Sequence, residues 1–192
     1  MLNLAGSLSG HMAQHILLMN LAAPLLALAM AHVFPRGVAT TLVPATAMQL
    51  FLLWGWHAPS VLTIATQSSA LHIIMQATLL LAALWFWAAV VAVAGTSRWQ
   101  SIFALMITSK LFCLLGVLLV FAPRGIYAAG SATSGHVHAA PIDMLADQQM
   151  AGLLMLVACP ATYILASIVI AARWFGALER EAAAPLRIAP DG

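Results

Sequence analysis

The chain has 192 residues, of which 64% are hydrophobic and 6% charged, with 7 Lys+Arg against 5 Asp+Glu and a net charge of +2. A soluble domain carries about 25% charged residues, so this composition, with a mean hydropathy of +1.01, excludes a water-soluble enzyme and a disordered chain. The net charge is too small to attract polyanions, which excludes a nucleic-acid partner, and the expected solvent is a lipid bilayer.

A membrane-spanning helix needs about 20 mostly apolar residues, and five segments qualify. In chain order the expected spans are 11–33, 38–57, 70–95, 99–122 and 144–174. Breaker residues separate them: Pro35-Arg36-Gly37, Ala58-Pro59-Ser60, Gly95-Thr96-Ser97 and Pro123-Arg124-Gly125. The runs are too long for membrane strands and do not alternate in polarity. The fold class is therefore all-α, a polytopic bundle forming one transmembrane domain over 1–174 with a cytoplasmic tail over 175–192 that frays at the surface. Ala29-Met30-Ala31 looks like a signal-peptide cleavage site, but nothing before Arg36 is basic except the α-amine, so the first segment reads as a retained span. The longest connection, 123–143, holds His136 and His138.

Orientation follows from the arginines. With five spans the two ends lie on opposite sides; Arg36, Arg98, Arg173, Arg180 and Arg187 share one side, and Arg124 falls on the other. The positive-inside rule places the N-terminus outside and the C-terminus in the cytoplasm. On this topology six of the seven histidines lie at the outer side: His11, His15, His57, His72, His136 and His138, with His32 alone on the inner side. The arginines set the topology without reference to the histidines, so this clustering is an independent observation.

His11 and His15 are four residues apart, which puts them on one helix face about 6 Å apart along the axis. Met19 continues that stripe, Met12 lies beside it, and Met75 follows His72 by three residues. Imidazole with thioether suits copper, and thioether favours Cu(I). The expected metal ligands are His11, His15, His57 and His72. Additional candidates are Met12, Met19, Met75, Asp147, His136 and His138. Methionine on an apolar helix also packs, and an isolated interfacial histidine is commonly just a wetted polar residue. Polar groups at membrane depth, however, mark functional sites by default. Asp147 has two readings: a carboxylate that fixes a histidine tautomer, or an acid favoured by its own helix start. Lys110 falls near mid-span, where it either snorkels or sits in a polar pocket between helices. Cys113 and Cys159 lie in apolar runs and suggest no secreted disulfide framework; Cys159, before Pro160, is a buried inert thiol or part of a soft-metal path.

Several blocks resemble one family. His11-Met12-Ala13-Gln14-His15 runs on to Ala23-Pro24-Leu25-Leu26, and Trp54-Gly55-Trp56-His57-Ala58-Pro59 follows. Then come Leu71-His72 with Leu84-Trp85-Phe86-Trp87, and Asp147-Gln148-Gln149-Met150-Ala151-Gly152. In order, from about Ser9 to Tyr163, they are similar to the CtaG family, the assembly factors of caa3-type cytochrome c oxidase. Many members carry a second histidine where this chain has Gln76, and longer members carry further helices ahead of the first motif, so this looks like a short five-helix version. The resemblance implies a non-enzymatic assembly factor of the bacterial inner membrane that handles copper, with an oxidase subunit as partner. The alternatives are a haem-binding membrane cytochrome and a copper permease. Two histidines on one helix at this spacing cannot ligate opposite faces of one haem, and a permease should carry polar residues through the full membrane depth.

Overall fold

The computed structural model describes residues 7–125 and 141–183. Its α-helices are α1 (Leu8–Ile16), α2 (Ala23–Ala29), α3 (Leu42–Trp56), α4 (Pro59–Gln67), α5 (Ser69–Ala92), α6 (Arg98–Phe121) and α7 (Pro141–Ala183). They supply five stretches long and apolar enough to cross a membrane: Leu8–Ala29, Gly37–Trp56, Ser69–Ala92, Gly95–Phe121 and Met144–Ala183. Large apolar side chains such as Phe51, Leu81, Phe103, Val157 and Leu165 point outward, as they do where the surroundings are lipid.

The boundaries differ from the expected ones in physically explicable ways. The first span starts and ends earlier than 11–33, and it is not one regular helix. A π-helical segment, Leu17–Ala22, joins α1 to α2. Pro24 has no N–H to give to the Asn20 carbonyl four residues back, and the Ala23 N–H reaches five residues back to Leu18. The looser turn is tied down from outside, because the Trp87 indole N–H donates to the Met19 carbonyl at 3.0 Å. The break at Ala58-Pro59-Ser60 opens a short helix, α4, with Pro59 in its first turn, where a missing N–H costs nothing. The expected tail from 175 does not fray at once, since α7 continues through Ala183. Its last stretch is rich in Ala, Leu, Glu and Arg, all strong helix formers.

Turns and packing bring the spans together. Gly95, between α5 and α6, has a φ of 61°, a left-handed conformation that favours glycine. Helices α6 and α7 form the most extensive pairing. Gly116 and Gly152 meet there so closely that a Cβ on Gly152 would lie 2.7 Å from the Gly116 carbonyl oxygen. In lipid the hydrophobic effect does not draw helices together, and small residues that admit close backbone contact do that work.

At the core, Tyr163 of α7 stacks on Trp87 at 5.5 Å and meets Phe86 and Phe112. Its hydroxyl accepts a hydrogen bond from the Gln49 amide of α3 at 2.9 Å. Two further tryptophans packed against the core also find partners: Trp85 donates to Thr41 and Trp56 to Thr78. Lys110, at the middle of α6, is exposed on the outside of the bundle, so it occupies no polar pocket between these helices.

Candidate metal-handling end of the bundle

The start of α1, the end of α3 and the starts of α5 and α7 lie at one end of the bundle. Ser7 caps α1 by accepting from the Gly10 N–H at 3.1 Å. The Asp147 carboxylate, from α7, accepts from the Leu8 N–H at 2.6 Å, the Ser9 N–H at 3.2 Å and the Ser9 hydroxyl at 2.5 Å. The amides that a helix start leaves without partners are thus satisfied by one local hydroxyl and one distant carboxylate. Among the described residues the carboxylate meets no histidine; it caps a different helix, the one that carries His11 and His15.

The imidazoles meet. His11 Nε2 and His15 Nε2 are 2.8 Å apart, with the rings perpendicular. His72 Nε2 of α5 lies 3.4 Å from His11 Nδ1. His57, just past α3, has its ring centroid 5.4 Å from that of His15. His15 and His57 are buried, and His11 and His72 are half-buried. Gln76 sits at the edge, 3.5 Å from His72 Nε2 and 3.4 Å from Gln14.

The orientation of His57 is informative. Its Nδ1 lies 2.7 Å from the Leu53 carbonyl, which can only accept, so Nδ1 carries the proton. In the neutral ring Nε2 then presents a lone pair, and the atom 3.2 Å away is the Met12 sulfur, itself chiefly an acceptor. Imidazole nitrogen beside thioether sulfur at this distance is a donor pair that suits a soft cation. Metal–nitrogen bonds of about 2.0 Å and metal–sulfur bonds of about 2.3 Å let donors about 3–4 Å apart bind one ion.

His11 and His15 are arranged differently. Their closest nitrogens share a hydrogen bond, so each ring must turn before both can ligate. Consistent with that, among the described residues no group of three or more His, Cys, Asp or Glu is placed to hold a metal ion.

The remaining candidates separate. Met12 and Met19 are buried on the first span beside His15 and His57, where both line a small cavity with them. Met75 is fully buried on α5, in the apolar core. His136 and His138 lie outside the described residues. Sequence reasoning missed the capping role of Asp147 and the contribution of Met155, which shares the cavity with Met12, Met19 and Cys159, the last already singled out as a soft-metal candidate. A signal existed in the four-residue spacing of Ala151, Met155, Cys159 and Tyr163, one buried stripe along α7. It also missed Gln148, whose amide donates to the Leu119 carbonyl at 3.0 Å and so ties the start of α7 to the end of α6.

The fold and this end of the bundle define a helical multi-pass membrane protein with imidazoles gathered at one end. The family model for cytochrome c oxidase caa3 assembly factors (Caa3_CtaG) matches residues 5–177. The chain belongs to that family, and through it to the proteins that assemble a cytochrome c oxidase. No match was found among curated proteins or among solved structures.

Proposed function

We propose that this protein binds copper as Cu(I) at its imidazole end and passes it to a subunit of a cytochrome c oxidase during formation of the copper centre. It acts as a chaperone in the bacterial inner membrane and not as an enzyme. The observation that carries the reading is the meeting of four histidines from three spans, His11, His15, His57 and His72, with the Met12 thioether in contact with one of them. Copper is cargo here, so a loosely preorganised donor set is an advantage. Rings that hydrogen-bond to one another when empty lose those bonds on loading and regain them on release, which keeps affinity within reach of a receiving subunit. Thioether next to imidazole favours Cu(I).

A haem site fits less well. The imidazoles contact one another directly, and the cavity beside them measures about 10 Å³, too small for a porphyrin. A Soret band in the purified protein would overturn this assignment.

Replacing His11 and His15 together by Ala tests the proposal. Alanine is apolar and helix-favouring, so the variant should still accumulate in the membrane. It should lose copper after purification under reducing conditions and lower oxidase activity in the host, with oxidase protein still made. Added copper should partly restore activity, which a folding defect would not allow. Full oxidase activity in the double variant without added copper defeats the delivery reading.

A further inference from the structure

One to two turns inward from His11, the first span, α3, α6 and α7 line a small cavity of about 10 Å³. Its wall is unusual in its sulfur. Met12 and Met19 come from the first span, Met155 and Cys159 from α7, and His15 and His57 close it toward the imidazole end. All four sulfur residues are at most 2% exposed. Met12 and Met19 are seven residues apart, about two turns, and Met155 and Cys159 are one turn apart, so each helix presents sulfur along one face.

Ordinary packing accounts for one buried methionine, but not for the polar groups beside these. His15 is 3% exposed, and its Nδ1 has no hydrogen-bond partner. A buried ring nitrogen left unpaired is costly, and a bound ion is one group that would satisfy it. His57 Nε2 lies 3.2 Å from the Met12 sulfur. The volume matches about one water molecule, hence one small ion and nothing larger. The dominant donors are thioethers, which select Cu(I) over Zn(II) or Cu(II).

We propose that this cavity is a second, intramembrane Cu(I) site in which Met12, Met19 and Met155 are the donors. It is loaded from the imidazole end through the His57–Met12 contact, a route that rests on the copper reading above. The step is ligand exchange: the copper–nitrogen bond to His57 breaks as copper–sulfur bonds to Met19 and Met155 form, while Met12 stays attached. No electron moves and no proton is released, because thioethers and neutral imidazole are already in their binding forms. Cys159 lies next to the ion as a further sulfur, and burial in an apolar wall keeps that ion from water.

The test uses the full chain purified in detergent, titrated anaerobically with Cu(I) against a chromophoric chelator, followed by copper X-ray absorption. Wild type should take up two Cu(I) per chain. His11→Ala/His72→Ala spares every cavity residue and should keep one, with a sulfur-dominated shell. Met19→Leu/Met155→Leu nearly conserves volume, and it should also drop to one, with most sulfur scattering gone; size-exclusion profiles establish that both variants remain folded. If the methionine variant keeps wild-type stoichiometry and sulfur scattering, the cavity site is overturned and the imidazole reading stands. If the histidine variant matches wild type while the methionine variant binds none, the cavity site stands and the imidazole reading falls. A wild-type chain that takes up no Cu(I) overturns both.

Discussion

Asp147 fixes the first helix from 139 positions away, accepting from the backbone of Leu8 and from both the backbone and hydroxyl of Ser9. Because it holds the turn that carries His11, its loss should act on stability and on the imidazoles together. Asp147→Asn keeps shape and one acceptor oxygen but loses the charge, and Asp147→Ala removes the cap. We expect Asp147→Ala to lower stability by about 1–3 kcal/mol, with Asp147→Asn between it and wild type. Thermal unfolding in detergent measures this, and equal melting of all three proteins would sink the capping role. The same residue shows the limit of sequence reading. An acid near a helix start invites a local explanation, and nothing in the spacing reveals that the amides it satisfies lie at the other end of the chain. The four histidines were easier to bring together. Their shared side follows from span counting and arginine bias, and helix packing at about 8–10 Å lets side chains on neighbouring spans touch.

At the scale of elements, the contact between α6 and α7 depends on two glycines. A Cβ on Gly152 would fall 2.7 Å from both the Gly116 oxygen and Val120 Cγ2, whereas one on Gly116 would fall 3.0 Å from the Gly152 oxygen. Backbone cannot yield as a side chain can, so Gly152→Ala should force the helices apart at a cost of about 1–3 kcal/mol, and Gly116→Ala should cost less. Melting temperatures in detergent would reveal the order, and a Gly152→Ala protein as stable as wild type would mean the helices are not held this closely. Because α7 carries Asp147, Met155 and Cys159, the copper proposal also expects this variant to retain less copper. The irregular elements were the least legible. The π-helical turn at Leu17–Ala22 arises from Pro24 acting together with the Trp87 indole, 68 positions from the Met19 carbonyl it binds, and propensity alone sees only the proline. The extension of α7 to Ala183 was legible in composition, but an expectation that helices end with their hydrophobic stretch hid it.

At the scale of the whole molecule, the distribution of charge gives the bundle a direction. Composition and breaker residues made the five spans readable, because a bilayer demands long apolar helices and leaves few alternatives. Which end faces which compartment rests on Arg36, Arg98, Arg173, Arg180 and Arg187 against Arg124. By the positive-inside rule, that bias would put the imidazole end outside and the end of α7 in the cytoplasm, an orientation we propose. In the proposed delivery route, copper acquired outside the cell meets the imidazoles first and the thioether cavity second. A reporter active only after export, fused at the C-terminus, should be inactive, and one active only in the cytoplasm should work there. Moving the same pair of reporters into the loop between α6 and α7 should reverse the result. Moving the arginine excess is the sharper experiment. Replacing Arg98 and Arg173 by Gln while adding lysines beside Arg124 should produce a mixed population, with oxidase activity falling in proportion to the inverted fraction. An export-dependent reporter active at the natural C-terminus would reverse the bundle and put the imidazole end in the cytoplasm, and copper would then have to enter the protein from inside the cell.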